Sequence, residues 1–345
     1  MTLNRRIHHV FRPLVAALAL ALAVVLVMQT SGYSVTSARV QAVERVAGTS
    51  TKHPASLKQV LAAVKAAGML KRLPASVTPR VLESLANDAN SAWALPDCQP
   101  GYTTTSLSRA GLAGCTFGAA KYRHTLMVIG DSHAAMWEPA FNLIGKRIGW
   151  RVIDITDDNC GPAALHYYLY PESREFSQCD KWQTWRMSEI NKIDPSIVVL
   201  TGWIGGNTGP SVQLTPTLWE QGIESTIHQM RPGIRSVVLA DMPHVLTEGP
   251  ECLAKNSSNI QACSGSAATI VPTAFNQAEA AAAAATGQYY VDPTPWFCDQ
   301  VCPDVINGID VYTGLYHINH AFAAYLSGVM QSALEPALSA AAAPA

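Results

Sequence analysis

From about residue 125 onward, short apolar runs alternate with segments whose apolar residues recur at helical spacing. Thr125-Leu126-Met127-Val128-Ile129 is apolar and partly β-branched, the pattern of a strand buried on both faces. Gly130 breaks it, and Ala134 to Ile148 then carries apolar residues at helical spacing. The alternation continues with strands at 150–155, 196–200, 235–240 and 289–291 and helices at 181–192, 216–230, 268–286 and 320–334. Between them, 157–179 is irregular and aromatic-rich, and 243–266 reads as a long loop. Strands alternating with helices predict an α/β fold: a mostly parallel sheet of five strands, covered on both faces, with its ligand site at the carboxyl ends of the strands.

The upstream third has a different texture. Arg5, Arg6, His8, His9 and Arg12 precede an unbroken apolar run from Leu14 to Met28. Positive charge before an apolar stretch directs export with the N-terminus held inside. The run is shorter than the ~20 residues of a spanning helix and within the range of a signal-peptide core. Residues 1–30 are read as a single-pass anchor with the rest outside the cytoplasm; the alternative is a secreted chain, cleaved for example after Ala38. Residues 31–54 read as a linker, 55–70 and 79–89 as short helices, and 93–118 as a loop or short hairpin. The expected organisation is an anchor at 1–30, a linker and helical cap at 31–94, a main domain at 95–336 and a flexible Ala-rich tail at 337–345.

Composition narrows the class. At 345 residues and 48% hydrophobic, the chain can bury one full α/β core with appendages. A net charge of −1 gives no basic surface for nucleic acid. Eight cysteines fall as local twos: Cys98 and Cys115, Cys160 and Cys179, Cys252 and Cys263, Cys298 and Cys302. In an exported chain an even count reads as disulfides, and pairing of neighbours is the economical choice. The alternative is zinc at Cys298 and Cys302, but no second Cys or His pair stands at matching spacing. Neither a metal nor a cofactor is expected.

Two residues carry candidate chemistry. Ser132 follows a buried strand and opens a helix, so its hydroxyl sits beside free N–H groups where an oxyanion can be stabilised. The alternative is that Asp131-Ser132 is only a helix cap. His317 lies 185 residues later at a loop-to-helix junction, where closure of the sheet can bring it to the serine. His133 and His320 are near by sequence, and His320 reads as a first-turn polar residue.

Val128-Ile129-Gly130-Asp131-Ser132-His133-Ala134, followed by Met136-Trp137-Glu138-Pro139-Ala140, resembles the first block of SGNH-type hydrolases. The resemblance is greatest to the extracytoplasmic SGNH domains fused to acyltransferase-3 membrane proteins of bacterial envelope O-acylation. The C-terminal segment is similar too: Trp296-Phe297-Cys298, Cys302-Pro303, Val311-Tyr312, then His317 leading into Ala321-Phe322-Ala323 and Leu326. It covers roughly 95–335 and implies a three-layer α/β/α fold with a flavodoxin-like sheet. Carried over by position, Ser132 matches the nucleophile and His317 the base. The oxyanion donors would be the N–H groups of Ser132 and Gly161, with the side chain of Asn207 as third; for Asn207 the alternative is a turn residue.

The resemblance breaks at one position. The family ending carries an aspartate three residues before the histidine, and here that residue is Gly314. Asp310, Asp304 or a backbone carbonyl is left to orient His317, or the triad has decayed. Asp131 reads as a structural ligand at the strand end. Trp137, Tyr167, Tyr168, Trp203 and Trp296 are candidates to stack on sugar rings. The expected function is an exported serine-dependent esterase or O-acyltransferase on envelope carbohydrate, with the membrane and a separate membrane acyltransferase as partners. The alternative is a catalytically weak or inactive relative that binds glycan or an acyltransferase.

Overall fold

The five apolar runs form the parallel strands expected from them. The computed structural model describes residues 54–78, 80–82, 98, 100–169, 174–210, 212–244, 249–314 and 317–343. The expected anchor at 1–30, the linker through 53 and most of the helix expected at 79–89 lie outside the described residues. Among the described residues no helix is long and apolar enough to cross a membrane.

The main sheet comprises β1 (Thr116–Gly118), β2 (Thr125–Gly130), β3 (Arg151–Thr156), β4 (Ile197–Leu200), β5 (Arg235–Leu239) and β6 (Tyr289–Val291). Their order is β1-β3-β2-β4-β5-β6, and all neighbours are parallel except β1, which runs antiparallel to β3 with Thr116 opposite Ile153. The sheet therefore has six strands rather than five. The additional edge strand is three residues long, carries no apolar run to announce it, and lies beside the Cys98–Cys115 disulfide. The five parallel strands keep the flavodoxin-like order, whose switch point lies between β2 and β4.

The helices that frame the sheet and the site are α1 (Leu57–Ala67), α2 (Ser132–Ala135), α3 (Glu138–Ile148), α4 (Ser177–Ile193), α5 (Pro216–His228), α6 (Thr273–Ala285), α7 (His320–Tyr325) and α8 (Ser327–Ala342), with further short helices at Arg109–Gly114, Gly249–Lys255 and Ala267–Ile270. α4, α5 and α6 cover one face of the sheet and α3, α7 and α8 the other. The single helix expected at 134–148 is broken into α2 and α3, because Pro139 stands in the first turn of α3 and supplies no N–H to continue the ladder. The expected last helix is likewise divided at Leu326. α8 runs on to Ala342 with Ala337 and Leu338 buried, so the helix takes up most of the stretch expected as a flexible tail.

Residues 54–82 lie against the α/β body. Ser76 Oγ donates to the Gly308 carbonyl at 2.7 Å, and the Leu73 N–H to the Ser257 carbonyl at 2.9 Å. All four neighbouring cysteine pairs are disulfides, and the Cys298–Cys302 bond displaces the zinc alternative there.

Several acids are buried away from cations. Burial pushes the Asp304 carboxyl up to about 8 and that of Asp154 to about 7. Such a carboxyl keeps its proton in the folded state, whereas the unfolded chain loses it near the ordinary value of about 3.9. Its contribution is fully present below that value and is lost as pH rises toward about 8. The melting temperature is therefore expected to fall by several degrees between pH 5 and pH 9, with a shallower fall in Asp304→Asn. A flat profile in both proteins contradicts the buried neutral carboxyls.

Candidate active site

The site is built where β2 ends. Gly130 has φ +151, and a Cβ there would meet the Thr201 carbonyl oxygen at 1.8 Å, so this turn between the two central strands requires glycine. Asp131 follows as the N-cap of α2, its carboxylate accepting the His133 N–H at 2.9 Å. The same carboxylate accepts the Trp203 N–H beyond β4, at 3.0 and 2.9 Å from its two oxygens. A Cβ on Gly202 would collide with Pro162 and meet Asp131 Oδ2 at 3.1 Å, so Gly202 lies between the loop after β3 and Asp131. Burial raises the Asp131 carboxyl to about 6, against the pull of His133 and the two N–H groups. Its contacts are those of a strand-end ligand.

Ser132 opens α2, and His317 Nε2 lies 3.0 Å from its Oγ. His317 stands on a short hairpin in which Thr313 is opposite His317 and Tyr312 opposite Ile318, just before α7. Chain closure thus brings together two residues far apart in sequence at hydrogen-bond distance. Burial, reinforced by the nearby His133, pushes the His317 imidazole down to about 3, with Asp241 opposing. The ring is neutral at neutral pH and can accept a proton from the serine.

The acids expected to orient His317 lie elsewhere. Asp310 Oδ1 accepts the Tyr312 N–H at 3.2 Å. The strands Val305–Ile306 and Ile309–Asp310 pair through the turn at Asn307-Gly308, and this hairpin folds Asp304 and Asp310 into a buried pair whose charges repel. The carboxylate whose charge raises the proton affinity of His317 is Asp241.

Asp241 follows β5, between the strand expected at 235–240 and the loop expected at 243–266. It is completely buried, and its two oxygens accept from His133 Nδ1 and His244 Nε2, each at 2.7 Å. Burial raises its carboxyl, but the two imidazoles outweigh burial and hold it well below the usual carboxylate range. Burial lowers the His133 imidazole, yet Asp241 and Asp131 leave it above its ordinary value. The His133 ring stands edge-on to that of His317, with centroids 5.2 Å apart. An acid and a histidine just beyond a parallel strand were the available signal, since ligands bind at such strand ends.

Of the oxyanion candidates, the Ser132 N–H has no acceptor among the described residues, in a turn where Asp131 takes the N–H groups of His133, Ala134 and Ala135. Gly161 is buried, one residue before the Pro162 that abuts Gly202. Arg186 fixes that loop by donating to the carbonyls of Gly161 and Pro162 at 3.1 and 3.3 Å. Asn207 begins a short strand, opposite Tyr168 and Gln213, in a separate four-stranded sheet. The aromatic candidates divide. Trp137 and Trp296 pack edge-on in the core and Tyr167 is buried, so these three are structural. Trp203 is half-buried and its ring is 6.4 Å from that of His133.

The sequence matches the model of the SGNH domain (fused to AT3 domains) over residues 97–332. Among solved structures, the chain is similar to the periplasmic domain of a lipopolysaccharide acetyltransferase from Salmonella ser. Paratyphi A. The TM-score is 0.53 at 16% identity, covering 74% of this chain and 94% of that one. A putative acylhydrolase from Bacteroides fragilis aligns at 12% identity and TM-score 0.39, over 64% of this chain and 91% of its own. A carbohydrate acetylesterase family member from Sinorhizobium meliloti aligns at 12% identity and TM-score 0.37, over 64% of this chain and 99% of its own. No curated protein matches. At the identity of the first of these, the likeness shows the fold.

Removing the Asp131 carboxylate leaves two backbone donors without their acceptor. Asp131→Ala is expected to lower unfolding stability by about 2 kcal/mol or more, from the lost cap and the exposed need of a second N–H. Chemical denaturation measures it, and a change within about 0.5 kcal/mol, as at an ordinary surface site, contradicts the clamp.

Proposed function

The chain belongs to the family of SGNH domains fused to AT3 domains, and from that premise we propose that it is an exported serine-dependent esterase or O-acyltransferase acting on envelope carbohydrate. The observation that carries the reading is the 3.0 Å approach of His317 Nε2 to Ser132 Oγ at the carboxyl end of a central strand. The lipopolysaccharide acetyltransferase domain, with the same fold, supports an acetyl or other short acyl group and a sugar hydroxyl.

In this mechanism Ser132 Oγ attacks the acyl carbonyl and its proton passes to His317 Nε2. The oxyanion that forms is met by the N–H groups of Ser132 and Gly161, with Asn207 as a third donor if substrate draws it in. His317 returns the proton to the departing sugar oxygen, leaving an acyl-serine. Water or a second sugar hydroxyl then gives its proton to His317 and attacks the acyl carbon, and His317 passes that proton to Ser132 Oγ as it leaves. Which acceptor arrives decides between hydrolysis and transfer. The proposed setting is an anchored domain outside the cytoplasm, in reach of a separate membrane acyltransferase.

One observation favours a second reading. Gly314, with φ +58, stands where an acid would steady the imidazolium. A relative that binds acylated glycan without turning it over is consistent with that.

Hydrolysis of an aryl acetate and release of acetate from an acetylated oligosaccharide test the proposal. Ser132→Ala and His317→Ala are each expected to lower kcat/KM by about 10³-fold or more. Trp203→Ala is expected to raise KM for the oligosaccharide several-fold with kcat retained, as loss of a stacking face would. A wild-type rate no greater than that of Ser132→Ala sinks the esterase reading, and binding of the oligosaccharide by that same wild type favours the second.

A further inference from the structure

Three side chains converge beside the Ser132–His317 pair without taking part in its chemistry. His133 Nδ1 and His244 Nε2 each lie 2.7 Å from a different oxygen of Asp241, and donor atoms of the three residues fall within 4.8 Å of one another. Asp241 and His133 are buried, while the His244 side chain is 24% exposed. Among the described residues Asp241 has no lysine or arginine partner; its contacts are the two imidazoles and the Met242 N–H at 2.8 Å. From this convergence we infer that His133, Asp241 and His244 form a binding site for one divalent transition-metal ion of the zinc class.

The donor set selects the ion. Two imidazole nitrogens and one carboxylate suit zinc and its first-row neighbours, with a further coordination position open on the side of half-exposed His244. Magnesium and calcium require six or more oxygen ligands, which this cluster does not offer. The donors are held from separate points. The His133 N–H is fixed by Asp131 and that of His244 donates to the Ile270 carbonyl at 3.0 Å. In the present arrangement the imidazoles point at Asp241. On metal binding each neutral ring carries its proton on the other nitrogen, freeing a lone pair, while the Met242 N–H continues to hold Asp241 as an outer partner. Bonds of about 2.1 Å in a tetrahedral sphere set neighbouring donors roughly 3.4 Å apart. The 2.7 Å contacts open slightly to reach that spacing, and His244, on the open side, supplies the movement.

The test uses the full chain carrying Ser132→Ala, stripped with EDTA and titrated calorimetrically with zinc chloride, with cobalt(II) absorption as a second readout. One ion per chain is expected, with a cobalt spectrum of low coordination number. His244→Ala, half-exposed and outside the core, is expected to weaken binding by more than the about tenfold that loss of an outer partner costs. Asp241→Asn is expected to weaken it further, and retention of the fold in His244→Ala keeps the test valid if Asp241→Asn does not fold. Absence of saturable binding overturns the site. So does binding that survives His244→Ala but is lost on His166→Ala, which would place the ion at the exposed His166–Asp180 pair. Absence of turnover in the wild type, with and without metal, removes the esterase reading and leaves the calorimetric result standing.

Discussion

The site depends on a carboxylate outside the proton-transfer chemistry. Asp131 is buried at the end of β2 and accepts N–H groups from its own helix and from Trp203 beyond β4. Burying such a group is costly unless it is hydrogen-bonded. Its two acceptor oxygens offset that cost by tying the ends of the two central strands into one corner. Gly130 lets the backbone make the turn against Thr201. With the corner fixed, Ser132 has little freedom in where it presents its hydroxyl, and Gly202 lies between the loop after β3 and the same carboxylate.

The electrostatics of this corner follow from how little water reaches it. His317 is lowered by burial and by His133, and the acid that would counter this is replaced by Gly314. Asp304 and Asp310 are drawn into a hairpin of their own, where burial raises both carboxyls and the charge of Asp304 adds to the rise at Asp310. Asp241 is the carboxylate whose field reaches His317, but its oxygens are engaged by His133 and His244. The His317 ring is therefore neutral at neutral pH and able to accept a proton, as the mechanism proposed for it requires.

Much of this was legible in the chain. The parallel strands announce themselves as β-branched apolar runs, because a strand buried on both faces has no polar side to interrupt it. Gly130, Asp131 and Ser132 mark a strand end and a helix start, and the neighbouring cysteines mark their own pairs. β1 was hidden because three residues at a sheet edge carry no periodicity. The break between α2 and α3 was signalled by Pro139 but masked by the apolar spacing that continues across it. Asp241 and His244 escaped because their significance lies in a partner, His133, 108 residues earlier in the chain, and local pattern does not report such convergence. Asp304 and Asp310 were attractive by proximity in sequence to His317, but local pattern does not report that they form part of a buried hairpin of their own.

The most direct measurement is acid-quenched mass spectrometry after brief exposure of the protein to an activated acetyl ester. An acetyl group transferred from the ester to the peptide containing Ser132, accumulating in the wild type and absent in Ser132→Ala, is the predicted result. Acetylation confined to other residues, or equal in both proteins, contradicts a nucleophilic serine at the end of β2.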